Sequence, residues 1–297
     1  MKLFVTGATG FIGTAVVAEL MAAGHEVLGL ARSEDAVQKL SAAGAIPHRG
    51  DLENLESLQS GAAESDGVIH TGFIHDFSRF QEVCAIDARA IEVLGSALAG
   101  SDRPLVISSG TGMGNAVPGE PAKETYFDSH HPNPRAASEI AGNALLERGV
   151  NVSVVRLPQV HDPLKQGLIS YLIEVAREKG KAGYLGDGEI RWPAVHRLDA
   201  ARLYRLVAEK AVPGARYHAV AEEGVAHREI AEVIGRGLEV PVVSIPADGA
   251  SDYFGWLAMF ARMDMTASSQ LTRELLDWEP VGPGLISDLE QMRCFGS

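Results

Sequence analysis

The segment that most constrains this chain is Val5-Thr6-Gly7-Ala8-Thr9-Gly10-Phe11-Ile12-Gly13, a triple-glycine turn near its amino end. An apolar run at 3–6 precedes it and a helical pattern begins at Ile12, the strand-turn-helix setting that gives such a glycine pattern meaning. Gly7 permits a tight turn, Gly10 lets a diphosphate approach the backbone, and Gly13 lets helix and strand pack closely. The helix that begins here directs its positive end at the turn. The expected ligand is therefore a dinucleotide, with Gly7, Thr9, Gly10, Phe11, Ile12 and Gly13 as its first contacts.

Further short apolar runs occur at 26–31, 67–71, 105–108 and 150–156, with a weaker one near Ile46. Helical patterns beginning near Ile12, Glu34, Leu55, Arg79 and Pro134 separate them, which is the form of βαβ units and a parallel sheet. Val152-Ser153-Val154-Val155 is almost continuously apolar, as expected when helices cover both faces. The fold class is α/β, a Rossmann doubly wound parallel sheet with a smaller C-terminal substrate lobe. Residues 1–160 form the dinucleotide-binding domain. Residues 161–297 form the lobe, which partly returns to the first sheet. In the lobe the pattern gives a turn-rich stretch at 183–188 and helices at 197–210, 228–238 and 269–276, while Trp256, Met259 and Phe260 are expected to pack its core.

Charge narrows the partners. With 26 Lys and Arg against 39 Asp and Glu, the net charge of −13 argues against nucleic acid and anionic membrane surfaces, though not against a small anionic cofactor held locally. Cys84 and Cys294 form no close pair of metal or redox type, and both read as packing residues in a reducing compartment. The chain runs into its glycine turn without a secretory leader, and no stretch approaches the length of a membrane span, so a cytoplasmic location is expected.

The second apolar run ends in Leu30-Ala31-Arg32-Ser33, where an NAD-selective site usually carries an acid for the ribose hydroxyls. Arg32 can instead pair with a 2′-phosphate, with Ser33 as a neighbouring donor. NADP(H) is the preferred cofactor on this reading, with NAD(H) still accommodated. Asp51, next to Leu52, can accept from an adenine amino group or can cap the next helix.

These motifs resemble the extended or atypical short-chain dehydrogenase/reductase family, commonly labelled NAD-dependent epimerase/dehydratase. The turn matches its TGxxGxxG, Gly50-Asp51-Leu52 its adenine-binding acid, Val68-Ile69-His70-Thr71-Gly72 its fourth strand, and Leu275-Leu276-Asp277-Trp278-Glu279-Pro280 an element before its last helix. The resemblance implies that Thr71, Gly72 and Phe73 line the nicotinamide ribose. It also places the catalytic hydroxyl of Ile107-Ser108-Ser109-Gly110-Thr111 on Ser109, with Thr111 as the alternative. Dimerisation in the family pairs two helices, here at about 79–98 and 134–147, where Ala136, Ala137, Ala141 and Ala144 allow close approach; a homodimer is expected.

One family motif is broken. The YxxxK pair, in which Lys lowers the pKa of a proton-donating Tyr, falls on Asn133-Pro134-Arg135-Ala136-Ala137-Ser138-Glu139, with Arg135 at Tyr and Glu139 at Lys. A guanidinium stays protonated and does not shuttle protons near neutral pH. Arg135 and Glu139 either form an i, i+4 ion pair at a vestigial site, or Arg135 faces the nicotinamide pocket and clamps a carboxylate or carbonyl. Tyr126, His130, His131 and His161 are the replacement proton carriers to consider. His70 and His75 lie on a segment whose alternation separates them, so no metal is expected. In the lobe, Asp199 reads as a carboxylate at a helix N-terminus, while Arg191 and Trp192 can border a substrate or, for Trp192, pack the core.

Three functions compete: an NADP(H)-dependent oxidoreductase for a small carbonyl or alcohol with an atypical proton donor, an NADP-binding regulator without chemistry, and a nicotinamide-dependent epimerase or dehydratase. The candidate catalytic residues are Ser109, Arg135, Tyr126 and His161.

Overall fold

A computed structural model describes residues 1–117 and 119–292. Cys294 lies outside the described residues. Six strands alternate with helices through the first half: β1 Lys2–Thr6, α1 Phe11–Ala22, β2 Glu26–Ala31, α2 Glu34–Ala42, β3 Ile46–Arg49, α3 Leu55–Ala63, β4 Gly67–His70, α4 Phe80–Ser96, β5 Leu105–Gly110, α5 Ala136–Glu147 and β6 Val152–Leu157. Every element expected in this half is present, with boundaries shifted by a residue or two. Fraying and capping set those limits rather than periodicity.

The second half contains β7 Gln159–His161, α6 Ile169–Lys179, β8 Ala182–Leu185, β9 Arg191–His196, α7 Arg197–Lys210, β10 Arg216–His218, β11 Glu222–Ala226, α8 His227–Leu238, β12 Val242–Ile245, α9 Ala250–Phe254, α10 Ala258–Ala261, α11 Gln270–Leu276 and α12 Leu285–Glu290. Among the described residues the main sheet runs β10-β6-β5-β4-β1-β2-β3, all neighbours parallel. The order reverses between β1 and β4, so the crevice at their carboxyl ends is the expected ligand position.

Alternation along the strands divides the core in two. Leu3, Val5, Ile69, Val106 and Val155 face α1 and α7, whereas Phe4, Val68, Leu105, Ile107, Val152 and Val154 face α3, α4 and α5. Both sets are fully or almost fully buried, which is why these strands read as continuous apolar runs. β10 joins the main sheet beside β6, with Arg216 to His218 in register with Val154 to Arg156.

The lobe has its own core, where α6, α8, α9, α10 and α12 pack on two small sheets, β11-β9-β7 and β12-β8. The stretch 183–188 is thus not turn alone: Ala182 to Leu185 pairs in parallel with Val242 to Ile245, some sixty residues away. A partner so distant leaves no local signature in a glycine-containing run. Trp192 is fully buried and donates Nε1–H to the Met263 carbonyl at 3.3 Å, so it packs the core rather than bordering a substrate. Trp256 and Met259 are 45% and 53% exposed, contrary to the core role expected of them. Trp256 instead stacks on Phe77, which belongs to the first domain, with ring centroids 4.8 Å apart.

Asp199 lies in the first turn of α7, where it pairs with Arg202 at 3.4 Å. His196 caps α7, and the Asp199 carboxylate accepts from the amides of Val281 and Gly282 at 3.0 and 2.7 Å. This fastens the segment after Trp278, whose indole donates to the Asp199 carbonyl.

Candidate active site

The glycine turn is built as its sequence requires. Gly7 has φ +66°, and a Cβ there would lie 2.7 Å from the Gly72 amide nitrogen, so the turn after β1 and the segment after β4 touch through backbone. A Cβ on Gly13 would fall 1.9 Å from the Gly7 carbonyl oxygen. Gly10 caps α1 without a side chain, and the first turn of α1 carries no acid. The leading amides of a helix have no intrahelical acceptor, so this end presents free N–H groups and a positive dipole. Thr9 and Ile12 flank it half-buried. This cradle of free amides and side-chain-less positions fits the diphosphate of a dinucleotide.

The residues after β4 fasten the crevice as well as lining it. The Thr71 hydroxyl donates to the Thr6 carbonyl at 2.8 Å, and the Gly72 amide donates to Thr6 Oγ1 at 3.1 Å. Leu52 leans over Gly72. At the carboxyl end of β2, Arg32 is exposed and makes no hydrogen bond or ion pair with the described residues. Ser33 caps α2 by accepting from the Ala36 amide, which leaves its hydroxyl proton free to donate. Asp51 is not a helix cap: Asn54 caps α3, while Asp51 Oδ1 accepts from the Glu53 and Asn54 amides in the preceding turn.

The Arg135 and Glu139 positions do not hold the i, i+4 ion pair that their spacing allows. Arg135 sits at the N-cap of α5 and donates Nη1–H to Asp87 Oδ2 at 2.6 Å and to Ser138 Oγ, and Nη2–H to the Ser108 carbonyl at 2.8 Å. Its guanidinium also stacks 4.3 Å from the centre of the Phe73 ring. Asp87 is fully buried on α4 and receives His70 Nε2 at 3.0 Å on its other oxygen. His70 Nδ1 lies 2.7 Å from Thr6 Oγ1, so the chain of contacts runs from the glycine turn to α5. Burial pushes the Asp87 carboxyl up, but Arg135, then His70 and Ser138, outweigh it and hold the group far below the usual carboxylate range.

Glu139 is matched by two other cations. Arg156 on β6, fully buried, forms a bidentate pair with it at 2.8 Å on each oxygen, and Arg216 on β10 adds a contact at 2.9 Å. Burial alone would raise the Glu139 pKa, yet these arginines keep it lowered. Arg156 Nη2 also donates to the Tyr126 carbonyl at 2.8 Å, so the segment carrying Tyr126 wraps over the ion triad. The Tyr126 side chain is partly exposed.

Ser109 is the register partner of Arg156 on β5. It is close enough to Glu139 to help keep that carboxyl charged, yet its buried Oγ makes no hydrogen bond of ordinary geometry within the described residues. Buried hydroxyls are seldom left so. Ser108, its neighbour, spends its hydroxyl on the His70 carbonyl and on Tyr204. Thr111 is buried at the start of a 3₁₀ turn directly after β5.

The histidines separate from this group. His161 is fully buried, with Nδ1 2.7 Å from Asp288 of α12 and its ring against His196, and none of its contacts involves Ser109 or Arg135. His130 is almost wholly exposed, and His131 Nδ1 accepts from the Asn133 amide. His70 is buried in the Asp87 network while His75 lies against Phe73 and Phe77. No cluster of metal-ligating side chains occurs among the described residues. Sequence reasoning passed over Asp87 and Arg156. Their signal is a lone charge inside an apolar helix face, Val83-Cys84-Ala85-Ile86-Asp87, and inside an apolar central strand, Val154-Val155-Arg156-Leu157; a charge at such a place needs a buried partner.

Comparison with known proteins places the chain by both sequence and structure. The sequence pattern of the NAD dependent epimerase/dehydratase family matches residues 3–220. An uncharacterized protein of Schizosaccharomyces pombe is 46% identical over 290 residues, covering 97% of this chain and 98% of that one. A 2-alkyl-3-oxoalkanoate reductase of Stenotrophomonas maltophilia is 28% identical over 229 residues, covering 72% and 67%. Among solved structures, a dTDP-glucose 4,6-dehydratase of Streptomyces venezuelae with NAD bound superposes with a TM-score of 0.78 at 18% identity, covering 98% of this chain and 96% of that one.

Proposed function

The chain belongs to the NAD-dependent epimerase/dehydratase family and is an enzyme of the NAD(P)-dependent oxidoreductase type, and from that premise we propose that it interconverts a small carbonyl and its alcohol with NADP(H). The observation that carries this reading is Ser109: a buried hydroxyl at the carboxyl end of a central strand, beside the charged Glu139 but without a hydrogen bond of ordinary geometry, next to a crevice that fits a dinucleotide. A bound nicotinamide supplies hydride transfer. The residues of the chain orient and polarise the carbonyl. Ser109 donates to its oxygen, and Arg135 adds positive charge from a fixed position.

Arg135 is suited to electrostatic work and not to proton transfer. Three of its five N–H donors are taken by Asp87, Ser138 and Ser108, and its side chain is 16% exposed. A guanidinium held by a buried carboxylate and stacked on Phe73 is preorganised, the condition under which charge stabilises a developing oxyanion. The proton donor is assigned to Tyr126, whose backbone is anchored by the register partner of Ser109; the enclosure of His161 with Asp288 and His196 removes it from this role. The preference for NADP(H) rests on Arg32, exposed and unpaired where a 2′-phosphate is read.

A regulator that binds the cofactor without turning it over is the second reading, favoured by the locked Glu139–Arg156–Arg216 triad at the position of the family lysine. The test is direct. Purified protein is titrated with NADPH and NADH, and a panel of carbonyl compounds is screened for loss of nicotinamide absorbance. Turnover that disappears in Ser109→Ala with cofactor affinity retained supports the enzyme reading. Tighter binding of NADH than NADPH, or an unchanged preference in Arg32→Ala, would remove the cofactor assignment. We also propose a homodimer through α4 and α5. Its face would use Ala137, Ile140, Ala141 and Ala144, because Ala136 is buried within its own protomer; light scattering at a monomer mass would refute it.

A further inference from the structure

The loop after β7 brings a cation to the glycine turn from the other lobe. Asp162 Oδ1 accepts from the amides of Leu164 and Lys165 at 2.8 and 3.0 Å, and the Asp162 amide donates to the Lys165 carbonyl at 2.9 Å. Gln166 closes the turn by donating Nε2–H to the Asp162 carbonyl. Lys165 therefore projects from a pinned backbone. Its ammonium stands 5.9 Å from the centre of the Phe11 ring, on the first residue of α1. No carboxylate or carbonyl among the described residues binds it, in a chain of net charge −13 where acids outnumber bases.

A second cation reaches the same ring. Arg197, the first residue of α7, lies 5.1 Å from the Phe11 centroid, pairs with Asp162 Oδ2 at 3.3 Å, and keeps a buried Nε without a hydrogen-bond partner. Lys165 also lies near enough to His75, beyond the segment after β4, to disfavour its protonation, although burial is the larger cause of that shift. Lys165 is thus placed over the first residue of α1, directly after the turn that carries Gly7 and Gly10. Positive charge without a partner here, above an uncapped helix end, calls for an anion.

We infer that Lys165, backed by Arg197, closes over the diphosphate bridge of the dinucleotide, so that the second lobe contributes directly to cofactor affinity. The inference rests on the cofactor reading above and differs from it in its signature. The diphosphate is common to NADP(H) and NAD(H), whereas the 2′-phosphate read by Arg32 is not.

The experiment is calorimetric titration of the full chain with NADPH, NADH and ADP-ribose, for wild type, Lys165→Ala, Lys165→Arg and Arg32→Ala. Lys165→Ala is expected to weaken all three ligands by about tenfold or more, the scale of one charge-assisted hydrogen bond. Lys165→Arg is expected to restore most of the loss, and Arg32→Ala to weaken NADPH alone. Lys165 is exposed, and unchanged thermal unfolding of the apo variants confirms that they fold. Affinities of Lys165→Ala within twofold of wild type would overturn the inference. So would a rise in KM for the carbonyl substrate with cofactor affinity intact, which would assign Lys165 to a substrate anion. Failure of the wild type to bind any of the three ligands would refute the cofactor reading, and the clamp with it.

Discussion

Replacing Glu139 by Gln tests the central claim about the altered site, that its charges are inverted but not unpaired. Gln keeps the size and an amide oxygen, yet it leaves Arg156, a fully buried guanidinium, without its counter-ion. Breaking a buried pair in this way costs about 3–5 kcal/mol. Unfolding entropy of roughly 2 cal/mol/K per residue over 297 residues converts this to a fall in Tm of about 5–8 °C. Arg156→Met should cost less through electrostatics, because Glu139 keeps Arg216 at 2.9 Å, although the carbonyls of Lys123 and Tyr126 lose a donor. In the double variant Glu139→Gln/Arg156→Met neither buried charge remains. Urea unfolding of the four proteins should give a coupling energy of at least ~2 kcal/mol. Additivity within about 0.5 kcal/mol would refute the buried triad. Glu139→Lys, which restores the residue of the family, should be worse than Gln, since it sets a third cation beside Arg156 and Arg216.

Gly13→Ala should abolish dinucleotide binding by calorimetry, because its Cβ meets the Gly7 carbonyl oxygen at 1.9 Å and neither backbone can yield without opening the turn; retained affinity would contradict the packing of α1 on β1. His218 is buried with Nδ1–H on the Ser268 carbonyl and Nε2 beside Arg156, and burial first, then Arg156, lowers its pKa to about 3. Only the unfolded chain then binds this proton between about pH 3 and 6.5, so its contribution to stability is complete above 6.5 and is lost as pH falls through that window. His218→Gln should flatten the slope of unfolding free energy between pH 6 and 5 by up to about 1.4 kcal/mol per pH unit, measured by urea titration. Finally, burial pushes the Cys84 thiol up to about 11, so in a Cys294→Ser background iodoacetamide should modify Cys84 at pH 8 only once the protein unfolds; rapid native labelling would show that α4 opens.

The sequence by itself determined the doubly wound half and the cradle. Glycine spacing, apolar runs and helix periodicity are local properties, and Gly10 and Gly13 act through steric limits set within the turn itself. The same holds for the lack of an acid after β2, with Arg32 standing there instead. Tertiary structure decided everything that depended on a partner far along the chain. The pairing of β8 with β12, the exposure of Trp256, and the hold of Asp199 on the Val281 and Gly282 amides rest on contacts that are remote in sequence. Most of all, it decided the meaning of Arg135 and Glu139. Their i, i+4 spacing suggested one ion pair, but each is satisfied by a charge the fold delivers from elsewhere, Asp87 on α4 and Arg156 on β6. A buried charge goes to the partner that completes its hydrogen bonds in low dielectric, and only the packed sheet brings that partner within reach.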